Sequence, residues 1–579
     1  MTTREIITLQ VGHYSNFIGA HWWNAQESTF VYNPEDLLFP REVNHDVLFR
    51  EGENPRGEVT YTPRLVLFDL KGSLNSLKQK GTLYEMPQEE EEDIKWSGDI
   101  TMHKEAAPPK NKFLKELEEA DGNQEKDSPT DSTETDEESS EKENSRKEMV
   151  ERKHQKADDS QKVSDHTLLD FDAMFKVWSD FLRIHFHPRT IQIIEEFQHG
   201  NEHLPFDVFG CGQEAASGDT FINEWEDRLH FFTEECDNLE GFQIILDTHD
   251  AFGGSGAMLL QYLEDDFGSK GRLTFGVTPT ALPDDTALSR AQRILNSALA
   301  YQKCSSFSSL FVPVSLASTL WRALGPPIQF PYLQYKPIHY HTSAVLAACI
   351  DTLTYPYRQV MAPLHLCDIT NTFSSQGRKM ASLYTSMPFP LSDESSFVDS
   401  LMTDTFPWLP VTPHLKNKAC PSVQSVVVRG ISQDKVIRPN QLSQLPKPLW
   451  NCTSVEDVLQ VYLPEKCPGA LNAGYVMKNP FKIGMPYPQI FHKYIGKDGL
   501  LHGVERLPTV DVGSVPIMTS LQSNPEIGGL LEELYKAAKA LDIKKHHRYI
   551  AAGLDEDEYW ENLNSLMSLS RNYDSNGND

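Results

Sequence analysis

The stretch from Phe242 to Pro279 limits what this chain can fold into more than any other part of it. It runs through FQIIL, a glycine-rich turn at Gly253-Gly254-Ser255-Gly256, AMLLQYLEDDF and then LTFGVTP. A short apolar run reads as a buried strand, and apolar residues recurring every three to four positions read as one face of a helix. Gly268 and Gly271 close that helix before the second strand. The series is a right-handed βαβ unit, which needs a parallel sheet covered by helices and so places the chain in the α/β class.

The flanking patterns extend this reading. IITLQV and RLVLFDL have strand character, INEWEDRLHFFTEECDNLEGF is an amphipathic helix, and TLLDFDAMFKVWSDFLRIHF also reads as helical. From about Gln88 to Asp165 the composition changes abruptly, and KDSPTDSTETDEESSEKENSRKEMVERKHQKADDSQK has almost no aliphatic residue to bury. Within it Ser128 and Ser139 sit in acidic contexts suited to acidophilic phosphorylation. The expected organisation is a first part of an α/β domain at 1–87, a disordered acidic insertion at 88–165, the remainder of that domain at 166–300, a second mixed α/β domain at 301–520 and a helical region at 521–579. The terminal helices are expected to pack back on the body.

Composition excludes some functions. Eighty-three acidic against 53 basic residues give a formal charge of −30, and a phosphate backbone would be repelled where no Lys/Arg cluster faces it, so nucleic acid is not an expected partner. Apolar runs such as SAVLAACI are far shorter than the roughly 20 residues of a membrane span, so any membrane association is expected to be peripheral. The N-terminal run lacks the features of a leader or transit peptide, which predicts a cytoplasmic protein. The eight cysteines lie without C-x-x-C pairs, so they are expected to be reduced thiols.

Taken alone, the Gly253–Gly256 turn is a weak signal. Glycines at a strand-to-helix turn let the backbone approach an anion, and helix-start N–H groups can hold one, but tight turns need glycine in any case. His185 and His187 alternate as on a strand, one packing and one on the surface, with no Cys or acidic cluster to complete a metal set. His546 and His547 beside Lys544 and Lys545 read as a solvated basic face, and Trp22 with Trp23 as core.

Longer stretches carry a resemblance. CDNLEGFQIILDTHDAFGGSGAMLLQYLEDDFGSKGRLTFGVTP resembles the tubulin segment with C-x-x-L-Q-G-F-Q, the GGGTGSG loop and its following helix. REIITLQVGHYSNFIGAHWWN, YTPRLVLFDLKGSLNSLK and FDVFGCGQEAASGD are similar to three further tubulin blocks, and all four stand in tubulin order. Together with WSDFLRIHFHPRTI and the helical ending, they resemble the Misato family of tubulin/FtsZ-like proteins over nearly the whole chain. The resemblance implies a tubulin/FtsZ-like nucleotide-binding-type α/β domain interrupted by the disordered acidic insertion, then a second mixed α/β domain and C-terminal helices.

Carried over position by position, the resemblance implies a degenerate nucleotide site formed by Gly12, Asn16, Asp69, Gly210, Gly212, Gly253, Gly254, Ser255 and Gly256. Gly19 also matches. The Q-C-G run of tubulin is replaced by His13, Tyr14 and Ser15, and its first three loop glycines by Asp250, Ala251 and Phe252. A carboxylate at Asp250 would repel a phosphate about 4 Å away by a few kcal/mol. Lys71 stands where an acid would help hold Mg²⁺, so no metal ligand is assigned; a lysine there could replace a cation electrostatically, which keeps GTP open as a cofactor. The run Ser374–Lys379 aligns with the second-domain loop that positions the attacking water, but Gln376 is given no catalytic role, and Gln292 lies near a base-contacting amide.

The family resemblance further implies a non-enzymatic regulator of mitochondrial distribution, morphology and fusion, cytoplasmic and peripheral to the mitochondrial outer membrane, with protein partners there. Two alternatives stay open: a GTPase assembling like tubulin or FtsZ, and a factor linked to chaperonin and tubulin in tubulin biogenesis or spindle assembly.

Overall fold

The computed structural model describes residues 4–30, 41–55, 57–81, 83–84, 108–125, 170–280, 286–321, 324–402, 407–416, 419–437 and 447–573. Six strands form the first sheet: β1 (Glu5–Val11), β2 (Leu65–Lys71), β3 (Ile191–Gln198), β4 (Leu239–Asp247), β5 (Gly271–Val277) and β6 (Leu310–Val314). Their order is β3-β2-β1-β4-β5-β6 and every pairing is parallel. Both faces of this sheet are covered, so its strands are apolar at successive positions rather than at alternate ones. Along β2, Leu65 and Leu67 enter one core while Val66, Phe68 and Leu70 enter the other. The same alternation puts Ile245 of β4 in the first core and Ile244 and Leu246 in the second.

The first core also takes α1 (His13–Glu27), and the second takes α2 (Phe209–Ser217), α3 (Asp219–Glu234), α4 (Phe252–Phe267) and α5 (Ala287–Phe307). The β4-α4-β5 unit appears as its sequence predicts, with α4 closing at Gly268 and β5 starting at Gly271. Trp22 and Trp23 are fully buried, their ring centroids 4.6 Å apart.

A second, mixed sheet contains β7 (Ser382–Ser386), β8 (Leu409–Pro410), β9 (Val423–Arg429), β10 (Leu471–Met477) and β11 (Ile517–Ser523), in the order β8-β7-β11-β9-β10. Between the two sheets runs α6 (His339–Leu353), buried along nearly its whole length. A helix apolar on all sides can be placed only inside a core, which is what SAVLAACI encodes. Asp351 near its end accepts from Arg358 (3.0 Å) and from Arg429 of β9 (2.6 Å), so this buried carboxylate joins the helix to the second sheet. The guanidinium groups hold its pKa below the usual range against the opposing effect of burial.

On the far side of the second sheet lies α7 (Val455–Lys466); α8 (Glu526–Lys539) and α9 (Glu556–Arg571) pack on each other and on α5. The terminal helices therefore lie back on the body. Past the end of α9, the Tyr573 hydroxyl donates to the Met380 carbonyl (2.6 Å) and accepts from its N–H (2.8 Å).

Three expectations change. The stretch read as one helix through Phe186 forms only a short helix, Phe171–Met174, and a 3₁₀ turn, Trp178–Phe181. Its backbone is diverted by Asp180, which accepts from the N–H groups of Lys176 (2.8 Å) and Val177 (3.1 Å), and by Trp178, whose indole reaches Asp69. The boundary at 300 falls inside α5, and β6 belongs to the first sheet although its sequence lies beyond that boundary. Of the span 88–165, a helix at Lys112–Glu125 buries Phe113 against Phe171 and Phe175, which narrows the insertion; Ser128, Ser139 and the rest of the acidic tract lie outside the described residues.

Among the described residues, no helix is long and apolar enough to cross a membrane. The eight cysteines are free thiols.

Candidate functional site

In an open parallel sheet the crevice for ligands lies beyond the carboxyl ends of the strands, where neighbouring strands send their helices to opposite faces. Here that point is between β1 and β4: α1 leaves β1 toward one core and α4 leaves β4 toward the other. Gly12, with φ at 115°, turns the chain from β1 into α1. The first N–H groups of α1 point into the crevice, where an anion would be held.

A carboxylate of the chain itself lies there. Asp247, the last residue of β4, accepts from the N–H of Tyr14 through Oδ2 and from the N–H of Ser15 through Oδ1, both at 2.9 Å. Burial and the neighbouring Asp250 push the Asp247 carboxyl well above its usual range, against the lowering effect of these two donors. Asp250 is raised to about 7, chiefly by burial. Its Oδ1 accepts from the N–H of Phe252 (3.0 Å), so the first N–H of α4 is also taken by the chain. Phe252 is buried against Phe206, with centroids 5.0 Å apart.

Asp69 is buried and held by several donors. Its Oδ2 is within bonding distance of the Trp178 indole N–H (2.8 Å), the Asn16 amide (3.1 Å) and His13 Nδ1 (3.2 Å), and its Oδ1 accepts from the N–H of Leu70 (2.8 Å). These contacts, His13 foremost, hold the carboxyl below its usual range although burial acts the other way. Asn16 also donates to the Phe68 carbonyl (3.0 Å). Lys71, one turn of the pleat further, is exposed.

The loop glycines serve helix packing. A Cβ on Gly212 would stand 1.7 Å from the Ala251 carbonyl oxygen, and one on Gly254 would stand 1.9 Å from that of Phe209. Ser255 donates to the Gly212 carbonyl (2.9 Å). Gly253 and Gly256 face Ala300 and Leu246, while Gly210 backs onto the Ala552 carbonyl beside the terminal helices. Gly19 leaves room for the Gln10 side chain. Gly12, Asn16 and Asp69 thus meet at the crevice, whereas Gly212, Gly254 and Ser255 meet at the α2–α4 contact and Gly210 faces the terminal helices.

Gln292 is occupied as well: its amide donates to Asp207 (3.0 Å), which also pairs with Arg548 (2.5 Å). Beside it, Asn296 donates to the carbonyls of Asp207 (2.8 Å) and His249 (2.9 Å) and accepts from Tyr549 (2.8 Å). Sequence reasoning missed Asp247 and Asn296. Their signal was a polar residue ending or interrupting an otherwise buried run, in FQIILD and in RILNSALA.

Gln376 is exposed at φ 60°, in a turn tied by Arg378 to the Asn572 carbonyl (2.9 Å), beside the amino end of β6 and away from Asp247. His187 stacks on Phe231 (centroids 4.7 Å apart) while His185 is exposed. Lys544 and Lys545 pair with Glu556 (2.9 Å) and Asp542 (3.5 Å). Among the described residues, two groups bring three ligand-type atoms within 4.8 Å of one another: Asp247, His249 and Asp250 in the crevice, and His13, Asp69 and His199 at its edge.

Comparison with known proteins agrees with this architecture. Residues 4–119 match the Misato Segment II tubulin-like domain and residues 171–359 match the tubulin domain. The chain is 36% identical to Protein misato homolog 1 of Danio rerio, covering 98% of this chain and 97% of that one. It is 35% identical to the Homo sapiens homolog (98% of each chain) and 30% identical to Protein misato of Drosophila melanogaster (98% of each). Identity of this order along almost the entire length of both partners, on a tubulin-like parallel sheet, means that the chain belongs to the Misato family.

Proposed function

We propose that this protein is a tubulin-like adaptor with a degenerate nucleotide site. It regulates mitochondrial distribution, morphology and fusion from the cytoplasm, and associates peripherally with the outer membrane through protein partners. The single observation that carries the degenerate site is Asp247: its two oxygens already take the N–H groups of Tyr14 and Ser15 that a phosphate at the start of α1 would need. A phosphate would have to displace that side chain and lie beside Asp250. The mitochondrial role is supported by family resemblance, and peripheral association is compatible with the lack of a spanning helix among the described residues.

The test is nucleotide content. Protein purified without added nucleotide should release far less than one equivalent of guanine nucleotide on denaturation, and titration with GTP and Mg²⁺ should give no saturable heat. Stoichiometric release, or binding in the micromolar range, overturns the degenerate site; hydrolysis that accelerates with protein concentration would favour an assembling GTPase. For the cellular role, depletion should alter the mitochondrial network and the intact chain should restore it. An unchanged network, with chaperonin and tubulin dominating affinity capture, would favour the tubulin-biogenesis reading.

A further inference from the structure

The carboxyl ends of β1, β2 and β3, adjacent in the sheet, each place one metal-ligating side chain at the crevice edge: His13 just past β1, Asp69 in β2 and His199 just past β3. We propose that His13, Asp69 and His199 form a binding site for a zinc-like divalent transition-metal ion, with a fourth position open toward the crevice.

Geometry supports this assignment. One donor atom from each residue lies within 4.8 Å of the other two, and His13 Nδ1 is 3.2 Å from Asp69 Oδ2. Bonds of about 2.0–2.2 Å in a tetrahedral site put donor atoms roughly 3.3–3.6 Å apart, so the side chains need to move little to close on an ion. The two imidazole rings stand with centroids 4.0 Å apart.

The surroundings are those of a supported ligand set. Asp69 is fully buried and is fixed by the Trp178 indole, the Asn16 amide and the Leu70 N–H, outer contacts that orient a ligating carboxylate. The backbone of His199 is tied to β2 by its N–H bond to the Lys71 carbonyl (2.8 Å), which fixes the height of β3's end against Asp69. His13 retains 14% side-chain exposure, so an ion has a route in and a place for water or an acidic group. Two imidazoles and one carboxylate select zinc and its first-row neighbours; Mg²⁺ prefers oxygen ligands and is not the expected occupant. The proposal does not depend on whether nucleotide binds.

The test uses full-length protein freed of metal by a chelator, with Zn²⁺ alone as the probe. Calorimetry should give one equivalent of bound Zn²⁺, and Co²⁺ in its place should show the visible bands of a tetrahedral complex. His13→Ala and His199→Ala should each weaken binding by about 100-fold or more, beyond the loss of an outer-sphere contact. His199→Gln, at the strand end, provides a second variant whose circular dichroism should match that of the parent. Absence of Zn²⁺ binding overturns the proposal, as does binding that survives both histidine substitutions, which would place the ion elsewhere. Equal affinity for Mg²⁺ and Zn²⁺ also overturns it.

Discussion

Gly12 and Asp247 are a matched pair: a Cβ at residue 12 would stand 2.5 Å from Oδ2 of the aspartate, and Gly12 holds φ at 115°, where side chains are strained. The glycine lets the carboxylate reach the start of α1. Gly12→Ala should therefore lose the left-handed turn, about 1–3 kcal/mol, and disturb two buried N–H bonds, another ~1–3 kcal/mol. Unfolding in urea followed by tryptophan fluorescence should show the loss. Combined with Asp247→Ala, the two effects should sum to less than their separate values, because both remove the same contact.

The pH dependence of stability should carry the mark of Asp250. Its folded pKa is about 7 against an ordinary 3.8, so the folded state holds the proton more tightly. That favourable contribution is full below about pH 4 and is lost as pH rises through about 7. Asp250→Asn keeps an oxygen for the Phe252 N–H and has no charge to bury. The side chain keeps 21% exposure, so a gain of about 1–2 kcal/mol is expected at pH 8, vanishing by pH 4. Denaturation midpoints of both proteins across this range check the sign.

Glycines in helices separate by what faces them. Gly212→Ala would drive a methyl to 1.7 Å from a carbonyl oxygen and should separate α2 from α4, costing about 3 kcal/mol or more. Gly529, exposed inside α8, meets nothing within 4 Å; Gly529→Ala should stabilise by about 0.5–1 kcal/mol through helix propensity. Thermal melts should move in opposite directions.

Asp351 holds two buried guanidinium groups. Asp351→Ala leaves Arg358 and Arg429 without their carboxylate and should cost about 3–5 kcal/mol. A triple variant replacing all three by apolar residues should recover much of that loss, as measured by denaturation.

The C-terminal clasp should be worth a measurable amount. Tyr573→Phe removes both bonds to the Met380 backbone and should cost about 1–3 kcal/mol. Limited proteolysis should then cut α9 sooner than in the parent protein.

Much of the fold was legible because it rests on local periodicity. FQIIL, AMLLQYLEDDF and LTFGVTP encode β4, α4 and β5, whereas SAVLAACI, read only as an apolar run too short to span a membrane, forms a helix buried on all sides. The helix expected through Phe186 failed because Asp180 and Trp178 find partners in their own turn and on β2, and these bonds outweigh apolar spacing. The candidate site was legible only in part. Gly12, Asn16 and Asp69 do meet, but Gly212 and Gly254 looked like loop glycines and turned out to seat one helix against another.

The sequence by itself determined the α/β class, the βαβ unit, the family and the replacement of tubulin's loop glycines by Asp250, Ala251 and Phe252. Those follow from residue type and spacing, which short stretches carry. Only the tertiary structure decided what the replacements do. Asp247 and Tyr14 are 233 residues apart, and His13, Asp69 and His199 stand at the carboxyl ends of three separate strands. The sheet order alone aligns their ends, so the carboxylate at the start of α1 and the cluster at the crevice edge exist only once β1, β2, β3 and β4 lie side by side.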